Sequence, residues 1–268
     1  MTSSADRHPL DLSELRRLAG EPWRRIDVVE ETGSTNADLL ARAAAGEDVR
    51  GAVLIAEAQT SGRGRHGRSW ATPARSQVAM SVAVDVAGTN PDTWGWLPLL
   101  TGVAVVDAVD RVCGAPAGLK WPNDVLVGDG KLAGILAEVA APEPVIVIGL
   151  GVNVSLTETE APVDTATSLR ILGHPDVDRN QLAANILREL SDRIARWRSA
   201  GGPDEILMAD YRRRSVTLGS RVRATLPGDR VLVGTAIDVD ELGRLVIDDG
   251  AGTTTVADGD ITHLRPSA

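Results

Sequence analysis

"GLKWPNDVLVGDGKLAGILAEV", residues 118–139, decides the fold around it. Two apolar runs flank "GDGK" (128–131), a hairpin signal, so the stretch reads as antiparallel strands folded back on one another. Pro122 fixes the backbone between Trp121 and Asn123. The hairpin returns Lys131 towards the sheet that carries Lys120, Asn123 and Asp124. Outward from this hairpin, "PVIVIGLGVNV" (144–154) reads as a buried strand, and "AVLIAEAQ" (52–59) and "QVAMSVAVDV" (77–86) as two more. Helices are predicted over 11–20, over 34–46 with Ser34 and Thr35 as N-caps, over 178–199 and over 203–215. The apolar spacing from Thr93 to Val112 predicts another, although Gly95, Pro98 and Gly102 weaken its first half. Beyond Val216 the texture changes to short strands punctuated by "PGD", "DELG" and "DDGAG", the signature of a separate small β domain.

Composition narrows the function. A chain of 268 residues with 43% hydrophobic and 24% charged residues is an ordinary globular sequence, and its length allows one large domain plus a small one. No apolar run is long enough for a membrane span, and the N-terminus lacks the basic start and apolar core of a signal peptide. The lone Cys113 excludes an intramolecular disulfide, and a reducing cytoplasm is the expected location. Net charge −9 argues against broad, charge-driven binding to nucleic acid. The four histidines are scattered, without metal-ligand spacing.

The basic residues carry a further signal. Of 28 Lys and Arg residues only two are lysine, Lys120 and Lys131, and both fall inside the hairpin stretch. Where arginine serves, this chain uses arginine; a compact ammonium retained at these positions points to chemistry that a guanidinium fork cannot replace. The second basic feature is "GRGRHGRSW" (62–70), in a segment with no acidic residue between Glu57 and Asp85. Its glycines let the backbone approach a ligand closely, and Arg63, Arg65 and Arg68 offer forked donors to phosphate or carboxylate. It is neither a Walker loop nor a Rossmann fingerprint, because "GxxxxGK[ST]" is absent and a strand follows. A solvated surface loop and a short nucleic-acid patch are the competing readings.

Four blocks, "GSTN" (33–36), "AEAQTSGRGRHGRSW" (56–70), "KWPNDVLVGDGKLAGIL" (120–136) and "IGLGVNV" (148–154), resemble in order and spacing the signature blocks of biotin protein ligases. The resemblance covers residues 23–268 and implies an α+β fold. Its parts are a mixed-sheet catalytic domain (23–215) related to class II aminoacyl-tRNA synthetases, a small SH3-like β-barrel (216–268), and an N-terminal extension (1–22). The implied reaction joins biotin and ATP into biotinyl-AMP, then passes the biotinyl group to one lysine of a biotin carboxyl carrier domain. A lipoate ligase would not be expected to combine "GRGR" with "KWPND", and the lysine pair argues against a non-enzymatic binding regulator. The short N-terminal extension leaves no room for the winged helix of some members, so no specific DNA binding is expected.

The resemblance also implies roles. Ser34, Thr35, Asn36 and Gln59 would bind the ureido ring of biotin, a neutral group with two donors and one acceptor. Lys131 would bridge the reacting carboxylate and the α-phosphate. Arg63, Gly64 and Arg65 would close over the intermediate. Arg68, Trp70, Asn123 and Asn153 complete the ATP-binding set, with the Trp70 indole as the surface for adenine. Asp124 would either hold Mg2+ on the triphosphate or orient a neighbouring lysine. Gly149 and Gly151 mark either close approach to a ligand or a tight strand end. The glycine-rich loop is expected to order only over ligand. After Trp70 the family often has "GxNL" where this chain has "RSQV" (75–78), which leaves the exit of the loop open.

Overall fold

The computed structural model describes residues 7–20, 22–141, 144–226 and 230–264. Helix α1 (Leu12–Ala19) starts where the Asp11 carboxylate accepts from the amides of Ser13 and Glu14. Strand β1 (Arg25–Thr32) then leads to helix α2 (Thr35–Ala44), with Ser34 as N-cap, and to strand β2 (Ala52–Gln59), which lies parallel to β1. Strand β3 (Gln77–Asp85), helix α3 (Trp96–Cys113) and strands β4 (Gly118–Lys120), β5 (Asp124–Val127), β6 (Gly130–Ala140) and β7 (Val145–Asn153) come next along the chain. All further pairings in this sheet are antiparallel, and the seven strands lie in the order β1-β2-β3-β7-β6-β5-β4. Helices α4 (Arg179–Ala200) and α5 (Glu205–Arg214) precede a second, antiparallel sheet. Its strands are β8 (Arg221–Leu226), β9 (Arg230–Val239), β10 (Leu245–Asp248), β11 (Thr253–Val256) and β12 (Asp260–His263). The "PGD" turn expected at 227–229 lies outside the described residues. Among the described residues, no helix is long and apolar enough to cross a membrane.

The period-2 alternation of the central strands sorts side chains to two faces. Val78, Met80 and Val82 of β3 and Ile146, Ile148, Leu150 and Val152 of β7 enter one core with α1, α3 and α4. Helix α3 is apolar almost all round because it is buried between α4 and the sheet; Gly102 sits where a Cβ would come within 2.9 Å of Leu119. Pro98 falls in the first turn, where its missing N–H costs nothing, so the helix begins at Trp96 despite the weakening residues. On the opposite face α2 covers Ala83, Val145 and Val147. Further along that face the sheet is left bare. There the register aligns a row of small residues, Ala56, Ala79, Gly151 and Gly134, ending at Asp124.

One irregularity interrupts the hairpin. The pairing of β5 with β6 slips between Val125 and Leu126, so that Leu126 faces Lys131 while Val125 faces Ala133. This bulge inserts Leu132 as an extra residue and reverses the alternation, bringing Lys131 and Gly134 to the same face. The Lys131 backbone is held by the 165–167 segment, its N–H donating to Thr165 O at 2.6 Å and its carbonyl accepting from Thr167 N at 3.0 Å.

The two sheets are joined through tryptophan. Trp96 Nε1 donates to Asp240 O at 3.0 Å and Trp121 Nε1 to Gly243 O at 2.9 Å, so the turn after β9 is tied to α3 and to the Trp121-Pro122 segment. The Trp121 N–H donates to Thr217 Oγ1, which lies 3.1 Å from His263 Nε2. Burial, then the charge of Lys120, hold the His263 pKa below its ordinary value.

A buried ion pair anchors the N-terminal segment. Arg179 Nη1 lies 2.7 Å from Glu57 Oε2, with side chains only 8% and 2% exposed. The same guanidinium donates to the carbonyls of Gln77 and His8, and Glu57 also accepts from Leu10 N. Removing one partner strands the other charge, so Arg179→Ala should cost about 3–5 kcal/mol of unfolding free energy in urea titration. A loss below about 1 kcal/mol would contradict this anchoring.

Candidate active site

The bare face of the first sheet is the floor of a cleft of about 450 Å³, roofed by residues 63–70 and closed at one side by the C-terminal sheet. Stretches distant in the chain meet here. Ser34, Thr35, Asn36 and Gln59 come from the start of α2 and the end of β2; Lys120 to Asp124 and Lys131 come from the hairpin; Thr225 and Asp260 to Thr262 come from the second sheet. Of the residues expected from sequence, only Asn153 is absent from the lining. Its amide Nδ2 donates to Thr167 O at 2.9 Å, and its Oδ1 is buried with no hydrogen-bond partner among the described residues.

The hairpin delivers the charge. Lys131 Nζ lies 2.7 Å from Asp124 Oδ1, in ion-pair contact without hydrogen-bond alignment, and 5.5 Å from the centroid of the Trp70 ring. Among the described residues no group of three His, Cys, Asp or Glu side chains could cage a metal.

The indole of Trp70 lies across the aligned glycines. A Cβ on Gly151 would fall 2.4 Å from Trp70 Nε1, and one on Gly134 would fall 3.1 Å from Trp70 and 3.3 Å from Lys131 Cε. These two glycines therefore exist to admit an aromatic ring and a lysine stem. Trp70 Nε1 donates to Gln77 Oε1 at 2.7 Å, and Gln77 is 2% exposed. The departure "RSQV" thus has a structural use: Gln77 fixes the indole, while Arg75 takes φ 60°, the left-handed conformation that a glycine would adopt freely, and pairs with Glu30.

The polar end is organised by a serine that sequence reading passed over. Ser81, fully buried on the cleft face of β3, contacts Thr35 Oγ1 at 2.7 Å and Asn36 Oδ1 at 2.6 Å. Asn36 Nδ2 donates to Leu136 O at 3.1 Å and to Glu138 Oε2 at 2.8 Å, so its amide is already fully engaged and acts as a post over Gly149, where a Cβ would meet it at 2.3 Å. Gln59 Oε1 accepts from the Thr35 amide at 2.9 Å, and its Nε2 has no partner among the described residues. Donor capacity at this end thus rests with Gln59 Nε2 and with the Ser34 hydroxyl, whose oxygen accepts from Ala37 N at 3.4 Å as the cap of α2, and not with Asn36.

The loop closes on itself through Gly64 N to Arg68 O at 2.7 Å and Trp70 N to Gly62 O at 2.8 Å, with a short 3₁₀ turn at Arg65–Gly67. Its three arginines meet carboxylates that the sequence places far away. Arg63 pairs with Glu138 at 3.2 Å, Arg65 with Asp258 and Arg68 with Asp260. Arg65 Nη1 also reaches Asn123 Oδ1 at 3.2 Å. No short-range pattern marks Asp258 and Asp260 as neighbours of residues nearly two hundred positions earlier.

Residues 30–154 match the biotin/lipoate A/B protein ligase family, and residues 217–264 match the biotin protein ligase C-terminal domain. The chain is 54% identical over 265 residues, 97% of each chain, to the biotin–[acetyl-CoA-carboxylase] ligase of Mycobacterium tuberculosis. Its fold is similar to that of biotin protein ligase from Aquifex aeolicus in complex with biotin and ATP, with a TM-score of 0.77 at 24% identity, covering 91% of this chain and all of that one. It is also similar to the Leishmania major biotin protein ligase in complex with biotinyl-5-AMP, with a TM-score of 0.60 at 25% identity, covering 91% of this chain and 99% of that one.

Gly151→Ala tests the glycine floor. Its methyl group has no room beside Nε1, so the indole must leave Gln77. Of six indole N–H resonances in the NMR spectrum, the one that disappears in Trp70→Leu should shift and exchange faster with solvent. An unmoved Trp70 resonance would show that the indole does not rest on these glycines.

Proposed function

This chain belongs to the biotin/lipoate A/B protein ligase family, and from that premise we propose that it is an ATP-dependent biotin–[acetyl-CoA-carboxylase] ligase. One observation carries the reading: a single cleft joins a neutral polar end, the Lys131 ammonium over a glycine floor, and a loop of three arginines. Biotin is a neutral ureido ring with a carboxylate tail, and ATP is a polyanion with a flat base. The cleft offers a matching group to each part. The Mycobacterium relative's activity and the Aquifex and Leishmania complexes support the same assignment.

In the first step the biotin carboxylate oxygen attacks the α-phosphorus of ATP, the bond to the β-phosphate oxygen breaks, and pyrophosphate leaves. Two anions approach each other, and Coulomb repulsion at contact distance is the main barrier that side chains can lower. Lys131 Nζ is the group proposed to lie between them, held by Asp124 so that it need not reorganise. Mg2+ would enter as part of the MgATP substrate and neutralise triphosphate charge, and Asp124 is assigned to the lysine. Gln59, Ser34 and Thr35 would meet the ureido group, Trp70 the adenine, and Arg63, Arg65 and the Gly64 N–H the adenylate phosphate. Arg68, Asn123 and Asn153 are secondary: Asn123 steadies Arg65, and Asn153, buried outside the cleft lining, bonds the 165–167 segment through Thr167 O. In the second step the neutral amine of a carrier lysine attacks the acyl carbon, AMP leaves, and the amine releases a proton as the amide forms. The acceptor is proposed to be a biotin carboxyl carrier domain.

We also read residues 23–215 as the catalytic domain, akin to class II aminoacyl-tRNA synthetases, and 216–268 as an SH3-like barrel; the separate sheets support this division. The single cysteine and the ATP requirement fit a cytoplasmic enzyme.

Pyrophosphate release from ATP, with biotin and with lipoate offered separately, tests the assignment. Release with biotin alone is expected; release with lipoate alone would replace it. Lys131→Arg should lose most adenylation although charge is kept, because the wider fork does not fit over Gly134 beside Asp124. Exchange of pyrophosphate into ATP within a few-fold of wild type would remove Lys131 from its role. Arg65→Gly should still form biotinyl-AMP but hold it about ten- to a hundredfold less tightly, as loss of a charge-assisted hydrogen bond implies. The escaped anhydride would label bystander lysines, seen by blotting an unrelated protein for biotin.

A further inference from the structure

The C-terminal sheet lines one side of the cleft and also touches the loop that covers it. Arg65 Nη2 pairs with Asp258 and Arg68 Nη2 with Asp260. Both carboxylates come from one turn at the start of β12. Gly259, between them, packs so close to β8 that a Cβ would lie 2.9 Å from Thr225 O, so the turn moves only with its sheet. The sheet in turn is tied to Trp96 and Trp121. On the other side of the contact, the Gly64 N to Arg68 O bond joins the two arginines into one rigid unit.

From this geometry we propose that Asp258 and Asp260 are positioning residues for adenylate retention, a two-point clasp by which the C-terminal sheet holds the arginine loop closed over biotinyl-AMP. The inference rests on the reading that Arg65 binds the adenylate phosphate. A guanidinium carries five N–H donors, and Arg65 uses one on Asn123 and one on Asp258, leaving the rest for a phosphate. Asp258 therefore need not leave when the ligand arrives. It fixes the plane of the fork, so the loss of side-chain freedom is met before binding. Asp260 does the same for the far end of the loop through Arg68. The Asp258 and Asp260 side chains are 51% and 41% exposed, so each pair is individually modest and sensitive to salt. Two of them on one rigid loop act together, and the retention time becomes a property of the sheet-to-loop contact.

The test follows release of preformed biotinyl-AMP from the full chain. The enzyme is loaded with biotin and MgATP, cleared of free ligand, and chased while the bound adenylate is counted. Asp258→Asn and Asp260→Asn keep size and remove charge; each should quicken release about two- to fivefold, and the double variant more than either alone. Raising salt from about 0.05 to about 0.5 M should quicken wild-type release by a larger factor than release from the double variant, which keeps only the salt dependence of the phosphate contacts; a loss of packing alone would not narrow that response. Arg65→Gly is run beside them. If it releases quickly while the aspartate variants match wild type at both salts, the clasp is wrong and the Arg65 reading stands. If Arg65→Gly itself retains the adenylate, the reading beneath the clasp fails, and the clasp with it.

Discussion

The bulge in β6 is the constraint on which the site depends. A regular strand would send Lys131 and Gly134, three residues apart, to opposite faces. One extra residue turns the only lysine of that strand into the cleft, beside Asp124 and above a glycine that gives its stem room. The neighbouring segment 165–167 bonds to both sides of the Lys131 peptide and prevents the bulge from relaxing. The cost of an irregular ladder is thereby offset locally, and the gain is an ammonium held in place before any anion arrives. Gly134 and Gly151 belong to the same constraint, since the Trp70 ring and the lysine stem share the space they leave.

Much of this was legible in the residues. Strand and helix positions followed from apolar periods of 2 and 3.6, because the central strands are long enough and α3 and α4 regular enough for packing to agree with local preference. The retained lysines and the glycine-rich arginine loop marked the chemistry. Ser81 was also within reach: in "QVAMSVAV" the large residues Val78, Met80 and Val82 alternate with the small Ala79, Ser81 and Ala83, and a strand with one small face has something other than a helix packed on part of it.

Other features could not be read from the chain. The bulge depends on pairing between strands, and its slip leaves no mark in the order of residues. The engagement of Asn36 comes from Glu138, about a hundred positions away, arriving over Gly149. The partners of Arg65 and Arg68 are Asp258 and Asp260, whose placement is set by how the second sheet docks on Trp96 and Trp121. In each case a long-range contact determines what a local motif does. Residue type alone names the candidate and leaves its partner unknown.

A crystal structure with a non-hydrolysable analogue of biotinyl-AMP tests the central claim most directly. The expected result has Lys131 Nζ within hydrogen-bond distance of both an oxygen at the acyl end and an oxygen of the phosphate, with the bulge unchanged and the indole of Trp70 against the base. A complex in which Lys131 remains on Asp124 alone, with the acyl–phosphate junction held by other residues, would contradict it.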